Sequence, residues 1–403
     1  MKELQALLER GVADGAFPGA QACVIRDGAL LFSGSAGRRS LTGPPVDEAT
    51  RFDVASLTKV MATTTAVWIL ASGGALDLDE PAGTFFEPFA QGEKRAVTVR
   101  HLLAHTGGLP AWRPLFAKVL ADPALRAIYP DAGGPEPAVL PAEVRRQSRT
   151  ALFARARRSV IEEAALAPLE HEPSRVCVYS DLGFILLGEL AAERAGMRLD
   201  RFCDQWIFNP LGLTSTGYRP VGTSEPGAFA ATGRTRPREP ARGQEGLFEI
   251  PPQRERDDAG EVDDDNCWAM GGISGNAGLF STAVDVARWG DAIRADRAGA
   301  RRLGDPAVLG TLLAPDPHPE GPPRALGFDM PSGPRSSAGT RMGEAATRGH
   351  LAFTGCSVWI DFERGLTVAL LTNRVHPTRS NEAGIRLFRP AFHDAVIEAL
   401  EGA

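Results

Sequence analysis

What most constrains the fold is that strand-like runs sit at the two ends of the chain. Near the start, Gln21 to Arg26 and Ala29 to Gly34 flank Asp27-Gly28. Two apolar runs joined by Asp-Gly predict a β-hairpin, because those residues accept the positive φ of a tight turn. Near the other end, Cys356 to Phe362 and Leu366 to Asn373 flank Glu363-Arg364-Gly365 and predict a second pair of strands. A lone hairpin is marginal in water, so both pairs are expected in one antiparallel sheet with helices on its faces. Helical spacing supplies those helices. Leu4, Leu7, Leu8 and Val12 mark one within Met1 to Ala16, and Glu382 to Leu400 marks another. The expected class is α+β: an antiparallel sheet flanked by N- and C-terminal helices, plus a mainly helical lobe. On this reading residues 1–50 and 270–403 form a discontinuous sandwich lobe, and 51–269 form the helical one. A cleft between two lobes is a natural place for a site.

The middle of the chain is helix-rich. Val60 to Leu70 is an apolar helical run that ends at Gly73-Gly74. Thr98 opens a helix that stops at His105-Thr106-Gly107-Gly108-Leu109-Pro110. Residues 111–170 are Ala- and Arg-rich and helical in pattern, broken by a Pro-rich loop at Asp131 to Pro141. Val176 to Asp181 predicts a strand-to-helix turn into a strong helix over Leu182 to Gly196. Residues 219–265 are dense in Pro, Arg, Glu and Asp, contain Asp263-Asp264-Asp265, and predict a long loop over a surface or a site. Met270 to Phe280 is Gly-rich, which suits close backbone packing or positive-φ turns. A phosphate cradle is not expected there, since the Lys and Ser/Thr of a P-loop are missing. Ser281-Thr282 caps a helix over Ala283 to Ala295.

Composition removes several classes of function. The chain has 403 residues, 43% hydrophobic and 23% charged, as in ordinary globular proteins. Its net charge is -6 with no basic block, so nucleic acid is not an expected partner. No apolar run reaches membrane-spanning length. Met1 to Ala16 lacks the apolar stretch of a secretory leader. A cytoplasmic protein is expected, or a periplasmic one if a leader has been trimmed. Cys23, Cys177, Cys203, Cys267 and Cys356 are scattered in apolar surroundings, which predicts buried free thiols rather than disulfides or a zinc site. No His/Asp/Glu group has ligand spacing, so neither a metal nor an organic cofactor is implied. The expected partner is a small-molecule substrate; the oligomeric state is left open.

Phe52-Asp53-Val54-Ala55-Ser56-Leu57-Thr58-Lys59 is where chemistry is most visible. If a helix starts at Ser56, Lys59 lies on the same face three residues on. A serine hydroxyl is a poor nucleophile until something takes its proton, so a nearby amine matters. Roughly one Ser-x-x-Lys pair arises by chance in a chain of this size, and the spacing equally suits an N-cap serine with a solvated lysine. Residue usage shifts the balance. Of 44 basic residues only Lys2, Lys59, Lys94 and Lys118 are lysines. Arg cannot release its proton at working pH, whereas a buried Lys can.

Tyr179 is one of three tyrosines in the chain and stands beside Ser180-Asp181. A tyrosine buried next to a cation can carry a proton; otherwise it is a core residue with a backbone partner. Arg348 to Gly355 precedes a strand, and its small residues would let a substrate backbone approach. The plainer expectation is a strand entry with a solvated His350.

Ser-x-x-Lys, Tyr-x-Asn and Lys-Thr-Gly in that order mark the penicillin-recognising serine hydrolases. Ser56 to Lys59, Tyr179 to Asp181 and His350 to Ala352 resemble that set, as do Leu103 to Leu109, Gly278 to Thr282 and Leu371 to Pro377. The chain is similar to the class C β-lactamase-like branch, which includes D-alanyl-D-alanine peptidases and serine esterases, from about residue 15 to residue 375. The resemblance implies that Ser56 is acylated, that Lys59 is its base or orients its proton, and that Tyr179 relays a proton to the leaving group. It implies an oxyanion hole from the backbone N–H groups of Ser56 and Phe353.

Two departures bear on substrate. Asp181 stands where β-lactamases have Asn, and an ionised carboxylate only accepts hydrogen bonds. It would hold Lys59 as a cation, which favours Tyr179 as the base. His350-Leu351-Ala352 replaces Lys-Thr-Gly, removing a hydroxyl partner for a substrate carboxylate. The expected substrate-binding residues are therefore Asp181, His350, Leu351, Ala352 and Phe353. The expected activity is hydrolysis of an ester or small amide, esterase-like or D-amino-acid-peptidase-like. The alternatives are a β-lactamase and a catalytically idle binding or sensor protein.

Overall fold

In a computed structural model, residues 2–126, 149–223, 227–233, 235–236, 254–255, 260–317, 320–333 and 336–402 are described. The predicted hairpin comprises β1 (Gly19–Arg26) and β2 (Ala29–Gly37), with Asp27 and Gly28 at φ 49° and 80°. The distant end of the chain supplies β3 (Thr347–Leu351), β4 (Ser357–Asp361) and β5 (Leu366–Thr372). All five strands form one antiparallel sheet in the order β2-β1-β5-β4-β3. Its central junction pairs Ala20 with Thr372 and Arg26 with Leu366.

The helices used below are α1 (Lys2–Ala13), α2 (Thr65–Ser72), α3 (Arg149–Leu166), α4 (Asp181–Ala195), α5 (Ala283–Arg297) and α6 (Ala383–Glu401). The two-residue period of the strands decides which helix covers which face. Ala20, Ala22, Val24, Trp359, Val368 and Leu370 pack with Leu4 and Leu8 of α1 and with Phe388, Phe392 and Val396 of α6. Cys23, Ile25, Val358, Ile360, Ala369 and Leu371 face the other way, into a core shared with Val286, Trp289 and Ile293 of α5. With both faces covered, all seven residues of β5 are buried, which is why it reads as a continuous apolar run. At roughly 1.5–3 kcal/mol for each large apolar side chain removed from water, these two layers are the main force holding the sheet.

The middle of the chain is helical in its described parts, including α3 and α4. The Asp131 to Pro141 loop lies outside the described residues, as do residues 224–226, 234, 237–253 and 256–259 of the 219–265 loop. The end of that loop departs from expectation, because Asp264 accepts from Cys267 N and caps a short helix, Asp265–Ala269.

Other local expectations are also corrected. The helix after Ser56 begins with tight turns, Thr58 N to Ala55 O and Lys59 N to Ser56 O. It then widens into a π-helical stretch, Lys59–Thr64, before α2. Thr65 Oγ1 donates to Val60 O, five residues back, at 2.7 Å, so a side chain takes up a carbonyl of the wider turn. Tyr179 lies in an irregular extended segment, tied by Cys177 N to Glu320 O and Val178 N to His105 O, rather than in a strand. Residues 347–351 are themselves an edge strand, β3, rather than the approach to one, and His350 is buried. The polar spelling Thr-Arg-Gly-His-Leu hid this strand. Its neighbours explain it: Gly349 exchanges both backbone hydrogen bonds with Asp329, and a Cβ there would meet Trp359 at 2.3 Å.

Candidate active site

The turn that carries Ser56 is built by a small three-stranded sheet, in which Phe52–Asp53 and Gly217–Tyr218 both pair with Leu279–Ser281. This brings Ser56 beside the Gly-rich segment. Ala55 just before it has φ 42°, a conformation costly for a residue with a Cβ. Asp53 holds the turn: its Oδ1 accepts from Ala55 N at 2.8 Å and its Oδ2 from Asp263 N at 2.6 Å. Burial pushes the Asp53 carboxyl up to about 7, and the charges of Asp263 and Asp264 push the same way.

Lys59 is wholly buried. Its Nζ donates to Ser56 Oγ at 3.1 Å, Asp181 Oδ1 at 2.6 Å and Asn276 O at 3.0 Å. An ammonium has three donors and no acceptor, so this coordination fits the charged form. Burial alone would lower the Lys59 pKa; the Asp181 charge is foremost among the groups that oppose it, and the net shift is upward.

The Tyr179 ring centre lies 5.0 Å from Lys59 Nζ. Burial raises its pKa; the Lys59 charge and the neighbouring Lys59 and Ser56 groups pull the other way without overcoming it. The phenol is therefore neutral at rest. The His105 ring packs tilted against Tyr179, with ring centroids 4.6 Å apart, and accepts from Ser180 N through Nδ1 at 2.9 Å. On the other side stand His350, with ring centroids 5.8 Å apart, and the Arg324 guanidinium, 5.1 Å from the Tyr179 ring centre. Arg324 is paired with Asp329. His350 Nδ1 bonds Leu351 O at 2.7 Å, and burial pulls its pKa down to about 4.

Ser56, Tyr179, Asp181, His350, Arg324 and Asp329 border a cavity of 320 Å³ whose other walls are Ala55, Trp112, Asp263 to Asp265, Asn276, Ala277, Leu351 to Phe353 and Arg379. Arg379 is held by Asp263 at 3.1 Å and Asp265 at 3.2 Å. All eight residues singled out from sequence thus gather here, seven on the cavity wall and Lys59 just behind Ser56. Sequence reasoning missed His105, Asn276, Arg324, Asp329 and Arg379 as members. His105 and Asn276 sit in phrases with visible turn chemistry; the two arginines carried no signal in an Arg-rich chain. Among the described residues no group of three His, Cys, Asp or Glu side chains could hold a metal ion. The arrangement offers a hydroxyl, a fixed cation and a neutral phenol at one point, the parts needed for acyl transfer.

The family model for beta-lactamases matches residues 4–389. An N-acetylmuramyl-L-alanine amidase of Bacillus subtilis (strain 168) is 29% identical over 93% of this chain and 81% of its own length. A relative from Escherichia coli (strain K12), named as a candidate D-alanyl-D-alanine carboxypeptidase, is 27% identical over 90% of this chain and 80% of its own. The solved structure of EstCE1, a hydrolase with promiscuous acyltransferase activity, superposes with a TM-score of 0.66 at 22% identity, covering 98% of this chain and 97% of that one.

Proposed function

This chain belongs to the beta-lactamase family of serine hydrolases, and within it we propose that Ser56 is acylated by an ester or small amide that carries no free carboxylate. The observation behind this reading is the coordination of Lys59 by Ser56, Asp181 and Asn276. Asp181 keeps Lys59 charged, so the amine orients Ser56 and Tyr179 rather than taking a proton. Tyr179 is the proton carrier. As Ser56 Oγ bonds to the substrate carbonyl carbon, its proton passes to the phenol oxygen, and the phenol's own proton passes to the leaving oxygen or nitrogen. The bond to that atom then breaks, leaving an acyl-Ser56 ester. Water attacks this ester by the reverse relay, and Ser56 recovers its proton. The carbonyl oxygen is received by the N–H groups of Ser56 and Phe353, where losing one donor costs about 3 kcal/mol in the transition state.

Charge at the cavity wall supports the substrate class. Among the described lining residues, Asp181, Asp263, Asp264, Asp265 and Asp329 face only Arg324 and Arg379, and both arginines are committed to those aspartates. His350 is neutral at working pH and Ala352 has no hydroxyl. A substrate carboxylate would find repulsion and no ready partner. A neutral ester, or an amide ending in an amine, meets neither problem. The test compares turnover of nitrophenyl esters, amino-acid anilides and nitrocefin. Ester or anilide turnover with labelling of Ser56 by a fluorophosphonate is expected, all of it lost in Ser56→Ala. Faster turnover of nitrocefin would give the β-lactamase reading, and no labelling would give an idle binder.

A further inference from the structure

Behind the cavity wall, the turn from Ala352 to Cys356 is gripped by a cation from the opposite side of the sheet. Arg389 of α6 is buried. Its Nε donates to Gly355 O at 3.0 Å, and its Nη2 to Ala352 O at 2.6 Å and Cys356 O at 3.1 Å. Its partners are three backbone carbonyls rather than a carboxylate. Holding a guanidinium out of water costs several kcal/mol, and burial draws its pKa down to about 10. Packing alone would be better served by an apolar side chain, as at its neighbours Phe388 and Phe392.

The turn is fastened elsewhere too. Thr354 Oγ1 donates to Asp53 O at 2.8 Å, which ties it to the segment leading to Ser56. Thr354 O accepts from Thr372 Oγ1 at 2.9 Å and from Arg374 N at 3.2 Å. Gly355 N adds a second bond to Ala352 O at 3.0 Å. Ala352 C=O and Phe353 N–H belong to one peptide group. A charged donor on the oxygen withdraws electron density through the amide and makes its N–H a stronger donor, as hydrogen bonds in series reinforce one another.

We propose that Arg389 is a positioning residue for the oxyanion site: it aims the Ala352–Phe353 peptide at the cavity and, through the Ala352 carbonyl, strengthens the Phe353 N–H toward the negative oxygen of the tetrahedral intermediate. This rests on the acyl-transfer role of Ser56 proposed above. The charge and the carbonyl contact are both required. A neutral side chain of similar reach leaves the turn in place and the donor weak.

The test uses the full chain with Arg389→Gln and Arg389→Lys, and reads melting temperature, kcat, KM and the inhibition constant of a boronic acid that forms a tetrahedral adduct with Ser56. In Arg389→Gln we expect kcat to fall about 10- to 100-fold with KM within about twofold, and boronate affinity to weaken by the same factor. Arg389→Lys restores most of both near neutral pH. The burial that depresses Arg389 also depresses the lysine, so this variant loses kcat at a lower pH than the parent does. The titratable and charged groups around that position are Cys356, Arg374, Asp329, Glu382 and His393, and they are common to both proteins. A folded Gln variant with parental kcat and boronate affinity overturns the proposal. If the Gln variant does not fold, a Lys variant whose pH profile superimposes on the parent's overturns it. Ser56→Ala separates the two levels: residual turnover there removes the hydrolase reading, whereas a dead Ser56→Ala beside unaffected Arg389 variants removes only this inference.

Discussion

Lys59 Nζ and Asp181 Oδ1 stand 2.6 Å apart, in a pair whose lysine is fully buried and whose aspartate faces the cavity. The pair decides which form of the amine the site uses. Burial alone favours neutral Lys59, and the Asp181 charge reverses that. In Asp181→Asn the reversal is gone and the lysine pKa falls. If the cation is the working form, kcat/KM at pH 7 drops about tenfold and the alkaline limb of the profile moves to lower pH, one pH unit being about 1.4 kcal/mol of lost preference for charge. A rate increase at neutral pH would instead identify Lys59 as the base.

On the proposed relay, a proton from Tyr179 is needed most when the leaving atom is basic. Nitrophenolate departs without a proton, whereas an alkoxide or amide anion does not. Tyr179→Phe should therefore lower the acylation rate, read as kcat/KM, by about 10² to 10⁴ for alkyl esters or anilides and by less for nitrophenyl esters. The checking measurement is a plot of log kcat/KM against leaving-group pKa, which should steepen in the variant. Parallel lines for the two proteins would assign the proton to another group.

How far these features can be read from sequence follows from how local each one is. The hairpin at Asp27-Gly28 and the helix after Ser180 are written in adjacent residues, and both formed as predicted. The pairing of β1 with β5 could be anticipated because neither hairpin buries its faces alone. Strand β3 could not, since its partners are Asp329 and Trp359 and its own letters are polar. The same holds within the site. Ser56, Lys59 and Tyr179 carry chemistry that few other residues share. Arg324 and Arg379 are ordinary in an Arg-rich chain until the fold sets them against Asp329 and Asp263. The π-helical stretch after Lys59 has a cause in Thr65, whose hydroxyl reaches a carbonyl five residues back, a preference invisible to helical periodicity.

Gly275 tests how closely the site depends on backbone packing. A Cβ there would lie 2.1 Å from Phe184 O and 2.8 Å from the Gly188 backbone of α4. Neither can yield without moving the helix. The carbonyl of Gly275 accepts from Thr63, and that of Asn276 accepts from Lys59. Gly275→Ala should cost about 1–3 kcal/mol of stability and lower kcat as well, because the shift carries Asn276 away from the amine. Gly310→Ala is the control. It lies in helix Pro306–Leu313 with nothing near its would-be Cβ, and should raise stability by about 0.4–1 kcal/mol. Equal melting temperatures for the two variants would mean that α4 and the Gly-rich segment are not locked together.

Acid should weaken the fold through buried histidines before the carboxylates matter. Burial depresses His350 to about 4 and His393 to about 3, and holds His105 well below its ordinary value. Each is neutral in the fold and charged in the unfolded chain between its folded pKa and the ordinary 6.5. Their contribution is thus present above 6.5 and lost as pH falls. Asp53 opposes this. Its carboxyl, raised to about 7, keeps a proton in the fold that the unfolded chain gives up, so it adds stability as pH drops from 7 toward 4. For these four groups, three protons gained on unfolding against one released leave a net uptake of about two near pH 5, a slope of about 2–3 kcal/mol per pH unit; Asp204 and Asp285, raised by burial, reduce it, and His101, lowered by burial, adds to it. Urea unfolding at pH 7, 6 and 5 measures it. His393→Gln, which retains a partner for Ser357 Oγ without a titrating ring, should cut the slope by about one proton; an unchanged slope would mean that the His393 ring already carries its proton inside the fold.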